Sequence, residues 1–466
     1  MFPIKQTQIT KNIVGRAGPL LVESVLLNMS TFFDMVMVGS LGAYAVSSIG
    51  ITGQPLMIMN FILYSINTVM LTKISVTKGN NDANYIKLYV VNLTVLSVII
   101  SLLFTLLGYF FADEIMKAMG ATPDIAKVSA NFFKIIISCI CVRAVSNAIT
   151  GALRGIGETR TSMMIILISS ASNIIFNYFL IYGHLGFPKM GVNGAGLATC
   201  LSYVVGLLLG MIRLFFLKRD SLLHFTLRDL FKIRLNLMKE IFSLSLPVIW
   251  ERVAVRIGVL ITAKFTISIG TISFASHTIV SNLLNFSFFI GTALTTATTT
   301  FVGESVGKND SNLAKAYIKS ALIIGIIASS VFTVAFLIFP RPLAQIYTGD
   351  SAVIDKCVII LGMVALLQPF QCTATILFGA FRGFGDFKSS AKITSIGIVL
   401  IRPALTFAFV YLFKMNLIGA WIAIIADEFF RFAMASLKYY KQYLFLNKRV
   451  KSHRANIGDN AINTDK

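Results

Sequence analysis

Charged side chains are scarce in this chain. Asp, Glu, Lys and Arg make up 13% of its 466 residues, where a soluble domain carries about 25%. So little charge cannot cover a folded body in water, which excludes a soluble globular protein. Acids are the rarer sign, 20 against 41 Lys and Arg, and the net charge is +21. No zinc-finger, RNP-type or basic-helix pattern accompanies that surplus, so no nucleic-acid partner is expected. Cysteine is scarce as well. Cys139, Cys141, Cys200, Cys357 and Cys372 all fall within apolar runs, without metal-ligand spacing to a histidine. They read as small core side chains and not as a disulfide framework. The four histidines, His184, His224, His277 and His453, are scattered and form no HExxH. An intramembrane enzyme is therefore not expected, nor is a cofactor. No Walker A sequence is present, which removes ATP as the obvious driver. The N-terminal stretch MFPIKQTQITKNIVGRAG lacks the short apolar core and small-residue cleavage site of a signal peptide. The first span is expected to act as its own insertion signal and to be retained.

Apolar residues are what the chain has in plenty: 56% of it, with a mean hydropathy of +0.79. A spanning helix needs about 20 mostly apolar residues. Such runs occur near 18–38, 48–71, 88–111, 127–150, 162–182, 195–217, 243–266, 275–302, 317–340, 355–378, 391–413 and 420–440. Open strands cannot span a bilayer, and barrel strands would alternate with period two, so all twelve read as helices. The expected fold is an all-α integral membrane protein.

The loops set its orientation. The N-terminus, the loops 72–87, 151–161, 218–241, 303–319 and 379–392, and the tail from 438 hold 27 of the 41 Lys and Arg. The opposite loops hold six: Lys117, Lys127, Lys189, Arg341, Lys356 and Lys414. This bias predicts a multi-pass protein of the plasma (inner) membrane with both termini in the cytoplasm. The expected domains are a six-helix lobe over 1–217, a cytoplasmic linker over 218–241, a second six-helix lobe over 242–440 and a cytoplasmic tail over 441–466. The linker is expected to lie on the membrane surface. The last eleven residues, from Asn456, are expected to be disordered.

The chain repeats itself. GALRGIGETRTS at 151–162 returns as GAFRGFGDFKSS at 379–390, an offset of 228. At the same offset Pro19 and Glu23 return as Pro247 and Glu251, Ser40 and Gly42 as Ser268 and Gly270, and Asn81-Asp82 as Asn309-Asp310. Met190 with Gly194-Ala195 returns at Met415 with Gly419-Ala420, at an offset of 225. One offset held through five spans is a whole-lobe duplication. Each copy has an even number of spans, so both insert the same way up, related by a pseudo-twofold axis along the membrane normal. Two facing lobes imply a central cleft and alternating access. The glycines of the doubled phrase suit a tight turn. Without a βαβ unit around it, its GxG is no dinucleotide site. Its Arg154 and Arg382 are expected to grip carbonyls or lipid phosphates.

Charges within spans are costly and mark function. Glu23 and Asp34 lie on span one, Glu251 on span seven, and Asp427-Glu428 on span twelve, with Arg431 in reach of the last pair. Eleven residues separate Glu23 from Asp34, so both fall on one stripe, about 16 Å apart along the axis. Thr31 lies a turn below Asp34. Asn173 and Asn177 share a face of span five at i and i+4, and Thr199 lies about a turn into span six. Asp34, Asn173, Asn177 and Thr199 thus stand at similar depth. One carboxylate among neutral oxygens suits a proton or a sodium ion. The second lobe has Thr262 in place of Asp34 and adds Arg252, Arg256 and Lys264.

VES…FFDMVMVGSLG, GALRGIGETR, NIIFNYFLIYG and MGVNGAGLAT, with SLPVIWE and FASHTI in the second lobe, resemble the multidrug and toxic compound extrusion (MATE) family over residues 15 to 440. The resemblance implies twelve helices in two lobes and export of amphipathic, often cationic, organic compounds in exchange for protons or sodium. It places the family's cation-coupling residues on Asp34, Asn173 and Thr199, and a second-lobe acid on Glu251. Where the family has N-x-x-x-D on span five, this chain has Asn173 and Asn177, one negative charge fewer. The expected function is a secondary antiporter, with Asp34, Asn173, Asn177 and Thr199 coupling the cation and forming the candidate sodium site. Glu251, Arg256 and Glu23 are expected to serve substrate or second-lobe coupling. The expected partners are small amphipathic molecules and membrane lipids, and a monomer is expected. A lipid flippase is the alternative, resting on Arg252, Arg256 and Lys264.

Overall fold

The computed structural model describes residues 6–217 and 221–462, with backbone alone at 227, 231 and 443–462. The start of the expected linker, 218–220, and the end of the tail, 463–466, lie outside the described residues. Helix is the dominant element and no strand occurs among the described residues. The long helices are α1 (Gln6–Gly39), α2 (Ala43–Gly79), α3 (Ala83–Phe110), α4 (Pro123–Ser138 with Ile140–Gly155), α5 (Thr159–Tyr182) and α6 (Val192–Phe215). They continue as α7 (Leu235–Ile269), α8 (Thr271–Gly307), α9 (Ser311–Ile338), α10 (Ser351–Ala365 with Gln368–Gly383), α11 (Phe387–Leu412) and α12 (Asn416–Ile462). Eight are long and apolar enough to cross a membrane, and ten when each bent pair counts as one span. The other two, α7 and α12, are interrupted by charge: Glu251, Arg252, Arg256 and Lys264 in one, Asp427, Glu428 and Arg431 in the other. The chain is an all-helical, multi-pass membrane protein with the twelve expected spans. Its outer faces carry exposed Leu103, Leu106, Phe110, Ile327, Val331 and Ile338, side chains that a lipid solvent tolerates and water does not.

Several helices overrun their apolar runs. α1, α2, α7 and α8 have 34 to 37 residues, about 50 Å at ~1.5 Å per residue, against a hydrocarbon core of about 30 Å. Hydropathy marks only the part in lipid. α12 likewise continues past its apolar run to Ile462.

Two expected spans are broken. α4 bends by 46° and α10 by 55°. In α10 the break precedes Pro369, which has no N–H to give to the helix before it. The Thr105 hydroxyl on α3 donates to the Ile137 carbonyl at the bend of α4, at 2.8 Å. The Thr333 hydroxyl on α9 donates to the Ala365 carbonyl at the bend of α10, also at 2.8 Å. Each bond offers a polar partner to backbone that the break would strand in lipid.

These bends recur 228 residues apart, as do the repeated turns. Asn81 and Asn309 both take the left-handed conformation that ends a helix, at φ 57° and 54°. Asp82 and Asp310 then cap the next helix, accepting from the Tyr85 and Leu313 amides at 3.0 and 2.9 Å. Ser40 meets the Tyr182 hydroxyl at 2.9 Å, and Ser268 meets that of Tyr411 at 2.7 Å. In the doubled phrase Gly157 and Gly385 have φ 86° and 81°, the tight turn that its glycines predict.

Lys11–Val253 with Thr299–Lys308 forms one compact unit, and Ala254–Thr298 with the chain from Asn309 and the first turn of α1 forms the other. In the first, Met59, Leu63, Met116, Phe133 and Ile137 centre an apolar core. In the second, Leu283, Cys357, Ile360, Leu361 and Trp421 do so.

The described part of the linker is hydrogen-bonded to the first unit. Leu223 and Phe225 are buried. The Arg234 amide donates to Asn92 Oδ1 at 2.6 Å, and Asn92 Nδ2 donates to the Lys232 carbonyl at 3.0 Å. Asn92 itself is fully buried, and its side chain meets linker backbone at both its donor and its acceptor end.

Candidate cation-coupling site

α1 presents Ser30 and Asp34 on one face, and α5 presents Asn173 and Asn177 opposite them. Both asparagines are buried, Asn177 completely, and Asp34 is half-buried. Asn177 Nδ2 donates to Asp34 Oδ1 and also to Asn173 Oδ1 at 3.4 Å. Asn173 Oδ1 accepts a second bond, from the Ser30 hydroxyl, at 3.2 Å. Asn173 Nδ2 donates to Thr199 Oγ1 on α6 at 3.5 Å. The Thr199 hydroxyl donates in turn to the Ala195 carbonyl at 3.0 Å. The four residues expected to couple a cation thus form one hydrogen-bonded chain. Asn177 Oδ1 is buried without a partner, an unsatisfied oxygen beside a carboxylate.

Ser30 is a member that sequence reading missed. Thr31, named in its place, donates to the Leu27 carbonyl at 3.1 Å and is exposed. Both lie about a turn from Asp34, and only the packing of α5 separates them.

Glu23 does not join this site. It is buried, and it accepts from Arg154 Nη2 and, at 3.2 Å, from the Ser162 hydroxyl. Arg154 Nε also donates to Ser162 at 3.1 Å. Arg154 therefore grips a carboxylate and not the carbonyls or lipid phosphates expected of it. An acid buried at this depth requires a cation. Glu, Arg and Ser recur at 251, 382 and 390, each 228 residues on.

Glu251 is buried within α7, and both it and Arg256 are engaged by other groups. Arg252 lies over the Tyr64 ring at 4.3 Å, where a guanidinium is held by the ring face. Asp427 and Glu428 are buried in a charge-balanced cluster with two arginines. Arg402 Nε donates to Asp427 at 2.9 Å and its Nη2 to Glu428 at 3.4 Å. Arg431 reaches both acids. The ion pair with Arg431 was legible from its spacing, but Arg402 was not. It sits between two wide π-helical turns, Ile396–Ile401 and Ala408–Leu412, beside Pro403, whose missing N–H loosens the helix there.

The polar chain around Asp34 belongs to the first repeat alone. Thr262, at the Asp34 position, donates to the Gly258 carbonyl at 2.8 Å. Ile401, Leu405 and Ile424 stand where Asn173, Asn177 and Thr199 would recur. Among the described residues no group of three or more His, Cys, Asp or Glu is placed to hold a metal.

The MatE family model matches residues 19–179 and again 247–408, two copies that begin 228 residues apart, as the repeat does. The chain is 27% identical over 450 residues to a probable multidrug resistance protein NorM of Thermotoga maritima, covering 95% of this chain and 96% of that one. It is 26% identical to a protein of the same name from Halalkalibacterium halodurans, covering 87% and 89%. Its fold is that of a solved MATE in the bent conformation, with a TM-score of 0.88, 21% identity and coverage of 97% and 100%. It is also that of an outward-facing multidrug resistance MATE transporter, at 0.85, 21%, 97% and 99%. Matched twice by its family model over most of its length, the chain belongs to the MatE family of multi-pass membrane transporters.

Proposed function

We propose that this protein is a secondary antiporter of the plasma (inner) membrane, with both termini in the cytoplasm. It exports small amphipathic, often cationic, organic compounds in exchange for an inward-moving proton or sodium ion. The relatives named for multidrug resistance support the cargo class. The lobes are 1–217 and 242–440, joined by the linker 218–241, and the working unit is a single chain that needs no cofactor.

One observation carries the coupling role. Glu23, Glu304, Asp427 and Glu428 are each paired with Lys or Arg, whereas Asp34 is held by the neutral amide of Asn177. A paired carboxylate has a fixed countercharge and gains little from a mobile cation. One held by an amide changes the net charge of its site each time a cation arrives or leaves, and that change is the currency of coupling. Asn173 and Thr199 orient the amide, and Glu251 and Arg256 serve the second lobe. Arg252, one basis for a flippase, is engaged by Tyr64, which favours antiport over that alternative.

The test is uptake of fluorescent organic cations into proteoliposomes under imposed proton or sodium gradients. Wild type should respond to at least one gradient and Asp34→Asn to neither, at equal reconstitution. Gradient-driven transport that persists in Asp34→Asn would remove Asp34 from the mechanism.

A further inference from the structure

We propose that Ser30 is a positioning residue that keeps the donor end of the Asn177 amide on Asp34, so that the site takes a proton in preference to sodium. The inference rests on Asp34 as the coupling carboxylate.

An amide offers hydrogens at one end and an oxygen at the other. A hard cation such as sodium is held by oxygens, so it needs the oxygen end of Asn177 turned toward Asp34. The hydrogen bonds around the site hold the opposite end there. The Thr199 hydroxyl gives its proton to the Ala195 carbonyl at 3.0 Å, leaving lone pairs for Asn173. Asn173 therefore turns Nδ2 toward Thr199 and Oδ1 toward α1 and Asn177. Ser30 donates to that oxygen at 3.2 Å and completes the assignment. Facing an oxygen on Asn173 and another on Asp34, Asn177 satisfies both with the two hydrogens of Nδ2.

Turning Asn177 over would set its oxygen against those two oxygens. It would also move two N–H donors to the buried place where Oδ1 now has no partner, and an unmet buried donor is costly. A proton needs no such turn: it binds the second carboxyl oxygen of Asp34 while the first keeps its bond from Asn177. Tyr203 on α6 is the other titratable group that interacts with Asp34, and around Tyr203 in turn stand Cys139, Cys200 and Arg143 on α4, whose guanidinium lies over the Tyr203 ring at 5.2 Å. The group hydrogen-bonded to Asp34 is the Asn177 amide.

Ser30→Ala removes the hydroxyl that selects the Asn173 oxygen, and the lock weakens by one hydrogen bond, about fivefold in the balance between the two amide orientations. The full chain is reconstituted in proteoliposomes, and proton-driven uptake is followed from pH 5.5 to 8.5 in potassium and in sodium chloride. Wild type should give the same profile in both salts. Ser30→Ala should show sodium competing with the proton, its profile shifting between the salts, and Ser30→Thr, which keeps the hydroxyl, should restore the wild-type profile. In detergent, Asn177→Asp, which cannot donate from an ionised carboxylate, should be stabilised against heat by sodium over potassium, where wild type is not; this arm needs no transport. Sodium-driven uptake by wild type, or a Ser30→Ala profile unchanged between salts, would overturn the proposal, as would an Asn177→Asp melt indifferent to sodium. Loss of coupling in Asp34→Asn upholds the underlying reading in any of these cases, so the two failures are told apart.

Discussion

Gly79 and Gly307, 228 residues apart, lie back to back at the ends of α2 and α8. A Cβ on Gly79 would fall 2.8 Å from the Gly307 Cα and 2.2 Å from the Glu304 carbonyl oxygen. One on Gly307 would fall 2.0 Å from the Val76 carbonyl oxygen. The obstacles are backbone, which cannot rotate aside. Gly79→Ala and Gly307→Ala should therefore each cost about 1–3 kcal/mol through overpacking. Gly349→Ala, with open space around the added carbon, is the control and should be near neutral. Thermal melts in detergent measure all three, and a Gly307→Ala midpoint equal to that of the control would contradict the close crossing.

Next to this crossing Glu304 holds three cations: Arg16 at 3.2 Å, Lys78 at 3.1 Å and Lys308 at 3.0 Å. Removing the carboxylate strands positive charge that has little water around it, so Glu304→Ala should destabilise by several kcal/mol, toward the ~3–5 typical of breaking a buried pair. Lys308 is exposed on its outer side, and Lys308→Ala should change stability by less than about 1 kcal/mol. The order of the two melts is the measurement, and the reverse order would refute the hub.

Glu23 and Arg154 offer a sharper comparison. Arg154→Ala leaves a buried carboxylate with only the Ser162 hydroxyl, whereas the double variant with Glu23→Ala removes the charge along with its partner. The double variant should be more stable than Arg154→Ala alone, because a stranded charge costs more than a missing pair. A double variant as unstable as the sum of its parts would mean that the two do not interact.

Much of this is legible in the sequence. Hydropathy found the spans, and the 228-residue offset predicted that Asn81 and Asn309, or Gly157 and Gly385, would do the same work twice. Spacing alone put Asn173 and Asn177 on one face and Glu23 in line with Asp34. The remainder depends on contacts between distant segments. The break at Cys139 lies in an apolar run to which hydropathy is blind, whereas Pro369 marks the one after Leu366. Spacing did not announce Glu23 as the partner of Arg154, because the two are 131 positions apart in the chain, and Ser30 could not be told from Thr31 until α5 chose a side. Nothing local in the linker announces that Asn92, some 140 positions earlier, will receive it.

That docking should be acid-labile in a defined direction. Asp229 accepts from Lys232 at 2.7 Å, from the Thr226 hydroxyl and amide at 2.9 and 3.1 Å, and from Lys87 at 3.1 Å. Burial works against its charge, but these bonds outweigh it and hold the carboxyl below its ordinary range. A depressed folded value means that the ionised form stabilises the docked linker at any pH above the unfolded value, about 3.9. The contribution is lost as pH falls below that point toward the folded value. Amide exchange across 221–234 should therefore stay slow and constant from pH 7 to pH 5, after correction for the intrinsic rate, and should quicken below about pH 4. Asp229→Asn keeps the shape without the charge and should quicken exchange already at pH 7. If the variant exchanged like wild type at neutral pH, the charge of Asp229 would have no part in holding the linker.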